Sequence, residues 1–169
     1  YGSNPDILKV QANRYTSLLN QFHRIFGHNE ALLFSSPGRT EIGGNHTDHN
    51  YGRVLAGAVN LDNAAVAAKN NSNIIRIESV GYPKFEVDLS NLKADKVEYF
   101  TSGSLVRGIS ARLRELGYNI GGFDACIDGG VPKGSGLSSS ASFEVLIGTI
   151  ISDLFNEGKN KETFIGRPF

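Results

Sequence analysis

The chain has 169 residues, of which 40% are hydrophobic and 20% are charged, the composition of one soluble globular domain. Basic and acidic side chains number 17 each, so no net charge favours nucleic acid or an anionic membrane as a partner. The single cysteine, Cys126, excludes an internal disulfide, and no apolar run approaches the roughly 20 residues of a membrane helix.

The start of the chain carries no signal-peptide pattern, because "YGSNPD" has neither a basic start nor an apolar core. Together with the single cysteine, this favours the cytoplasm as the compartment. The sequence contains no methionine, even at position 1, and we therefore expect it to be a piece of a longer protein.

The first half of the chain predicts one helix followed by strands. Residues 6–26 place apolar side chains at helical spacing and end at Gly27, which predicts an amphipathic helix. Residues 31–36 form a short strand-like run that we expect to end at Pro37. The glycine-rich segment 38–52 is interpreted as a loop. Two further apolar runs, at 53–59 and 63–69, are interpreted as two separate strands.

The second half of the chain alternates strands and helices. Residues 74–80 and 84–90 alternate apolar and polar side chains, as half-buried strands do. A helix is predicted over 102–116, a strand over 123–128, and a last helix begins near the serines at 138–140. This order predicts an α+β fold in which a mixed sheet packs against helices.

A glycine-rich loop precedes the last helix, in the stretch "VPKGSGLSSSASFEV" (131–145). Gly134 and Gly136 allow the backbone close to a ligand, and serine is favoured as a helix N-cap because its oxygen accepts from free N–H groups. With the positive end of the helix dipole, these features suit a phosphate, and a remaining serine hydroxyl suits Mg²⁺. The stretch is neither a Walker loop nor a dinucleotide fingerprint, and an ordinary flexible loop with a serine cap is the alternative.

A second polar stretch, "PGRTEIGGNHTDHN" (37–50), collects donors and acceptors. Arg39 offers a planar cation for a phosphate or carboxylate. Asn45, His46 and Asp48 lie within four residues and suit a ligand with several hydroxyls. Two alternatives stay open: a metal site at His46, Asp48 and His49, and a turn in which these side chains bond their own loop.

Together the two stretches resemble the GHMP small-molecule kinases and, within them, the galactokinases. The first is similar to the galactokinase signature G-R-x-N-L-I-G-E-H-T-D-Y-N, and the second to the family's ATP-phosphate loop. The resemblance implies a single GHMP kinase N-terminal domain over 1–169, related in fold to the second domain of ribosomal protein S5, with the C-terminal GHMP domain absent.

The resemblance also implies a role for each matching position. Arg39 would stabilise charge on the transferring phosphoryl group, and Ser140 would be a Mg²⁺ ligand. Galactose would be held by Asn45, His46, Thr47 and Asp48. The ATP phosphates would be wrapped by Gly134, Ser135, Gly136, Leu137, Ser138, Ser139 and Ser140. The implied cofactors are ATP and Mg²⁺, the implied substrate is galactose, and the full-length form would be a monomer that binds neither nucleic acid nor membrane.

Among the departures from the signature, Glu41 replaces the usual Asn, Asn45 the usual Glu, and His49 the usual Tyr. Asn45 keeps an acceptor oxygen but loses the charge, which weakens a hydrogen bond to the sugar. We expect an exchange of Asn45 for Glu to leave galactose as the preferred sugar.

The implied reaction is ATP-dependent phosphorylation of galactose to galactose 1-phosphate. The family's catalytic Asp, in a C-G-x-M-D-Q-like stretch, has no counterpart in these 169 residues, so we expect little or no activity from this chain alone. Glu144 and Glu162 are not taken as substitutes, and Glu144 is interpreted as a surface residue near the start of the last helix. The alternatives are a non-catalytic galactose- and ATP-binding module of the same fold, and a GHMP kinase for another sugar such as N-acetylgalactosamine.

Overall fold

The computed structural model describes residues 1–44, 47 and 50–158. In chain order its elements are helix α1 (Pro5–Phe26), strands β1 (Leu32–Gly43), β2 (Leu55–Lys69), β3 (Ile74–Ser79) and β4 (Phe85–Asp88), a short 3₁₀ turn (Lys96–Glu98), helix α2 (Ser102–Glu115), strand β5 (Phe123–Gly129) and helix α3 (Ser139–Asn156). The strand order is β1-β2-β5-β3-β4. Only the β3–β5 pair is parallel among these described strands, so the sheet is mixed, as predicted.

One face of the sheet is covered by α1. Leu18 and Phe22 of this helix share a buried cluster with Ala64 and Val66 of β2 and with Cys126 of β5. The helix begins where Asn4 Oδ1 accepts from the second helical N–H at 2.9 Å and ends at Gly27, as the sequence predicts. The thiol of Cys126 is therefore part of the core.

The other face of the sheet is covered by α2 and α3. Neighbouring residues of β2 point to opposite faces, so that Ala65 and Ala67 join this second cluster while Ala64 and Val66 face α1. Burial on both faces explains why this part of the chain reads as a continuous apolar run. The helical residues of the cluster are Val106, Ile109, Leu113, Leu146, Ile147, Ile150 and Ile151.

Strand β1 is longer than the sequence predicts. It does not end before Pro37 but continues to Gly43, so the interpretation of 38–43 as loop is wrong. Proline is tolerated because β1 is an edge strand, where a missing N–H need not break the ladder. The register to β2 shifts between Pro37 and Arg39 and then resumes, with Arg39 opposite Ala58.

Strand β2 is one strand of 15 residues, not the two that the sequence predicts. The two predicted runs are separated by residues 60–62, and Asp62 and Asn63 are the polar residues at the end of this gap and the start of the second run. Both side chains are instead buried, because Arg14 of α1 meets Asp62 on one face of the sheet and Ser142 of α3 meets Asn63 on the other. Polar partners supplied by distant elements thus allow β2 to continue through the predicted gap.

Candidate functional site

The glycine-rich loop 130–138 connects β5 to α3 and is stabilised by hydrogen bonds of the Ser135 side chain. Ser135 Oγ donates to the carbonyl oxygen of Pro132 at 2.7 Å and accepts from the N–H of Leu137 at 3.3 Å. Gly134 and Gly136 have φ angles of 71° and 76°, a left-handed conformation that disfavours other residues. The two glycines therefore permit a compact, exposed loop with no Cβ on these turns.

The start of α3 differs from the predicted serine cap. Ser138 occupies the N-cap position with a left-handed φ of 58°, and its side chain makes no capping hydrogen bond. The hydroxyl of Ser139 is turned to the carbonyl oxygen of Val131 at 3.1 Å, while Ser140 is exposed. The prediction that a serine side chain satisfies the first N–H groups is wrong for Ser138. An uncapped helix start of this kind suits an anion.

The loop and the helix that follows it each carry one charged side chain of interest. Lys133 Nζ lies 4.2 Å from the ring centroid of Tyr82, a cation–π contact with the turn between β3 and β4. Glu144, on the second turn of α3, is partly buried rather than on the surface, and burial raises its pKa. The interpretation of Glu144 as a simple surface residue is therefore wrong.

The two motifs found in the sequence lie against each other. The N–H of Arg39 donates to the carbonyl oxygen of Leu137 at 3.1 Å, which joins β1 to the glycine-rich loop. A Cβ placed on Gly38 would lie 2.9 Å from the same oxygen and 3.1 Å from Val131 Cγ1. Only a glycine lets the strand and the loop approach this closely.

Buried hydrogen bonds of Ser142 connect α3 to the sheet in the same region. Ser142 Oγ donates to the carbonyl oxygen of Ser36 at 2.8 Å and accepts from Asn63 Nδ2 at 3.0 Å. These contacts tie the first turn of α3 to β1 and β2 just before Arg39. Sequence reasoning did not single out these residues, and an Asn inside an otherwise apolar run was the available signal.

Arg39 is held by a carboxylate on its own strand. Its Nη2 lies 2.6 Å from Glu41 Oε1, and the side chains of Arg39 and Glu41 are 47% and 14% exposed. The other oxygen, Glu41 Oε2, is buried, and within the described part of the chain no donor reaches it. The charge of Arg39 is thus partly balanced before any ligand arrives.

The loop after β1 is described at Thr47 and from residue 50 onward. Thr47 Oγ1 donates to the carbonyl oxygen of Gly44 at 2.7 Å, and the N–H of Gly52 donates to the carbonyl oxygen of Thr47 at 2.7 Å. Thr47 therefore closes this turn. The other residues predicted to hold the sugar, and the alternative metal ligands, lie outside the described residues: Asn45, His46, Asp48 and His49.

A charged cluster anchors the strand that leads into the glycine-rich loop. Arg14 Nη1 lies 2.6 Å from Asp62 Oδ1, and Arg14 Nε lies 2.6 Å from Asp128 Oδ2. The N–H of Gly130 donates to the carbonyl oxygen of Asp62 at 2.9 Å. Burial alone would raise the pKa of Asp62, but hydrogen bonds from Ser35, the Tyr1 hydroxyl and Arg14 hold it below its ordinary value.

Neither a membrane-spanning helix nor a metal cluster is found in the part of the chain that the structure describes. None of its helices is long and apolar enough to span a bilayer. No group of three or more His, Cys, Asp or Glu side chains in these ranges is arranged to hold a metal ion.

Two family models match the chain in the order of the two motifs. The galactokinase galactose-binding signature matches residues 20–69, and the GHMP kinases N terminal domain matches residues 104–166. A galactokinase from Clostridium tetani is 36% identical over 143 residues, which cover 84% of this chain and 36% of that protein. One from Ligilactobacillus salivarius is 39% identical over 141 residues, with coverage of 81% and 36%. The chain thus spans little more than a third of the length of these relatives.

The fold is also similar to those of solved kinase structures. The crystal structure of Lactococcus lactis galactokinase complexed with galactose superposes with a TM-score of 0.77 at 32% identity, covering 92% of this chain and 44% of that one. The mevalonate kinase of Methanococcus jannaschii shares the fold, with a TM-score of 0.59 at 19% identity over 75% of this chain and 41% of that one.

The sheet, its helices and the second family model define the class of this protein, which is a GHMP kinase N-terminal domain. This confirms the predicted fold. The galactose-binding signature and the relatives at 36–39% identity narrow the assignment, and the chain belongs to the galactokinase family.

Proposed function

We propose that this chain forms the galactose- and nucleotide-binding part of a galactokinase, which transfers the terminal phosphoryl group of ATP to galactose and releases galactose 1-phosphate and ADP. The observation that carries the proposal is the hydrogen bond between the Arg39 N–H and the Leu137 carbonyl oxygen. In it, strand β1, which lies within the galactose-binding signature, contacts the glycine-rich loop directly. A kinase needs its two substrates adjacent, because phosphoryl transfer depends mainly on positioning and charge stabilisation.

The loop and the start of α3 fit a nucleotide's phosphates. The loop is exposed, Gly134 and Gly136 carry no Cβ, and Ser138 leaves the helix start uncapped by its side chain. Free N–H groups at such a helix start bind phosphate oxygens. Bound Mg²⁺·ATP supplies the phosphoryl group, and the exposed hydroxyl of Ser140 is the proposed Mg²⁺ ligand.

The residues of the first motif are proposed to hold the acceptor sugar and its reacting oxygen. Arg39 lies where β1 meets the loop, so its guanidinium is proposed to stabilise charge that develops on the transferring group. The proposed sugar contacts are Asn45, His46, Thr47 and Asp48. The Thr47 hydroxyl already donates to Gly44, and its oxygen can still accept a hydrogen bond from a sugar hydroxyl.

The experiment is a pair of calorimetric titrations on this chain, one with galactose and one with Mg²⁺·ATP. We expect each ligand to bind with one-to-one stoichiometry, and each to bind equally well or better when the other is saturating, because the two sites are adjacent rather than shared. Failure of both ligands to bind, or mutual competition between them, contradicts the proposal.

Turnover is proposed to need residues beyond these 169, since the relatives are more than twice as long as the matched region. A coupled assay of ADP release should therefore show little or no galactose-dependent turnover, even at ligand concentrations where calorimetry detects binding. Efficient turnover by this chain alone would overturn this part of the proposal and would place the base for the sugar hydroxyl among the residues present.

A further inference from the structure

Within the described residues, one oxygen of Glu41 is an unfilled acceptor, on the same strand as Arg39. Oε1 is fixed by Arg39 Nη2 at 2.6 Å, and Oε2 is buried with no donor from the described residues. An ionised carboxylate only accepts hydrogen bonds and is costly to bury with an oxygen unpaired. A missing donor at such a position points to a group that binds there when the protein works.

Among the described residues, the strand neighbours of Glu41 supply no donor to this oxygen. Glu41 lies opposite Ala56 on β2, and Arg39 lies opposite Ala58. Neither alanine has a donor in its side chain. Because Arg39 and Glu41 are two residues apart on one strand, their side chains lie on the same side, beside the point where β1 contacts Leu137. The unfilled oxygen therefore borders the region between the two motifs.

The sequence shows that the carboxylate at position 41 accompanies a second change. The galactokinase pattern has Asn at the position of Glu41 and Glu at the position of Asn45, and this chain has the reverse. Each version keeps one carboxylate and one amide within the same short segment. In this chain the carboxylate lies near the end of β1, where Arg39 fixes its orientation.

We infer that Glu41 is a sugar-binding and specificity-determining residue: its Oε2 accepts a hydrogen bond from one hydroxyl of the hexose and takes over the position 45 carboxylate of the related signature. This inference rests on the proposed function, because it requires a hexose beside Arg39. Oε1 stays on Arg39, so one carboxylate both orients that guanidinium and selects the sugar.

The test pairs substitutions of Glu41 with single deletions of galactose hydroxyls. Galactose and its 2-, 3-, 4- and 6-deoxy analogues are titrated calorimetrically into the wild type, E41A and E41Q. A charge-assisted hydrogen bond predicts that one deoxy analogue binds the wild type about 10- to 100-fold more weakly than galactose. In E41A, removal of the same hydroxyl should weaken binding by less than about threefold, because the acceptor of that hydroxyl is gone. In E41Q the loss of affinity should lie between those of the wild type and E41A.

The matched control is E86A, because Glu86 is a half-exposed carboxylate on β4, away from both motifs. We expect E86A to keep the wild-type pattern with every sugar. A further variant, E41N combined with N45E, restores the order of the related signature and should bind galactose more tightly than E41N alone.

The outcomes separate the two levels of the proposal. If the wild type binds galactose but every hydroxyl deletion costs E41A as much as the wild type, the role of Glu41 is wrong and the proposed function stands. If E41A and E41Q unfold at a lower temperature with unchanged hydroxyl dependence, Oε2 is paired with the chain itself, and the inference is again overturned. If the wild type binds Mg²⁺·ATP but no galactose, both the sugar assignment and the inference are wrong.

Discussion

At the scale of single residues, Gly38 sets the distance between the two motifs. A Cβ there would meet Leu137 O at 2.9 Å, Val131 Cγ1 at 3.1 Å and Val59 Cγ2 at 3.2 Å. The first of these atoms belongs to the backbone and cannot rotate away, so the loop itself would have to move. The position of the candidate phosphate-binding loop thus depends on the absence of one methyl group.

We predict that Gly38→Ala weakens Mg²⁺·ATP binding about tenfold or more, because the displaced loop no longer presents its N–H groups in register. Calorimetric titration measures this change. The control is Gly57→Ala on β2, where a Cβ would meet only Ile42 Cδ1, at an ordinary 3.9 Å. Equal nucleotide affinities for both variants would show that the close approach at Gly38 does not position the loop.

At the scale of elements, a short polar bridge fixes α3 to the sheet. Ser142 Oγ contacts both the Ser36 carbonyl oxygen and Asn63 Nδ2, and all three residues are buried. The bridge lies within the first turn of α3, next to the uncapped start of the helix. It lets the helix keep its position without a serine cap, which leaves the helix start open.

We predict that Ser142→Ala lowers the free energy of unfolding by about 1–3 kcal/mol, because Asn63 Nδ2 loses its acceptor in a buried place. For a chain of this size this corresponds to a melting temperature lower by roughly 3–10 °C. The control is Ser140→Ala in the same turn, which is exposed and should change stability by less than ~0.5 kcal/mol. A melting temperature unchanged in Ser142→Ala would mean that the bridge does not hold the helix.

At the scale of the whole molecule, two charged clusters hold the ends of the central strand β5. Asp128 at one end meets Arg14 of α1. Asp124 at the other end is buried and bonds Arg76 of β3 at 2.6 Å and His28 at 2.7 Å. Burial would raise the pKa of Asp124, but the hydrogen bonds from Arg76, from an Asn side chain and from His28 hold it below its ordinary value of 3.8.

These lowered pKa values predict acid lability. A carboxylate with a lowered folded-state pKa stabilises the fold above its ordinary pKa and loses that contribution as the pH falls through the folded-state value. The contribution of Asp124 to the free energy of unfolding should therefore be constant between pH 7 and 5 and should decrease below about pH 4. Urea unfolding at several pH values measures this change.

Asp124→Asn isolates this contribution. At pH 7 we expect the variant to be less stable by about 1–3 kcal/mol, a moderate loss because Arg76 is 38% exposed, and to lose less stability than the wild type on acidification. Asp6→Asn, at the exposed start of α1, is the control. An equally steep acid dependence in Asp124→Asn and the wild type would assign the lability to other carboxylates.

Much of the fold was predictable because its signals are local. The apolar spacing before Gly27 predicted α1, and the alternation in 74–80 and 84–90 predicted β3 and β4. Such patterns need only the periodicity of a helix or strand and a nearby glycine. The continuity of β1 through Pro37 was not predictable in this way, because it depends on a partner strand.

The candidate site also has features that the sequence shows and features that only the structure shows. Its two motifs are visible in the sequence, since backbone freedom at glycines and the chemistry of Arg39 belong to the residues themselves. Three features were not visible: the uncapped Ser138, the buried pair of Ser142 with Ser36, and the Glu41 oxygen that no described residue fills.

The sequence by itself determined helices α1, α2 and α3, strands β3, β4 and β5, the glycine-rich loop and the resemblance to galactokinases. Only the tertiary structure decided which strands pair, which polar groups are buried, and that Arg39 meets Leu137. The physical reason is distance along the chain. Dihedral preferences act within a few residues, whereas the Ser142–Ser36 bond joins residues 106 positions apart, and only the packed fold brings such partners together.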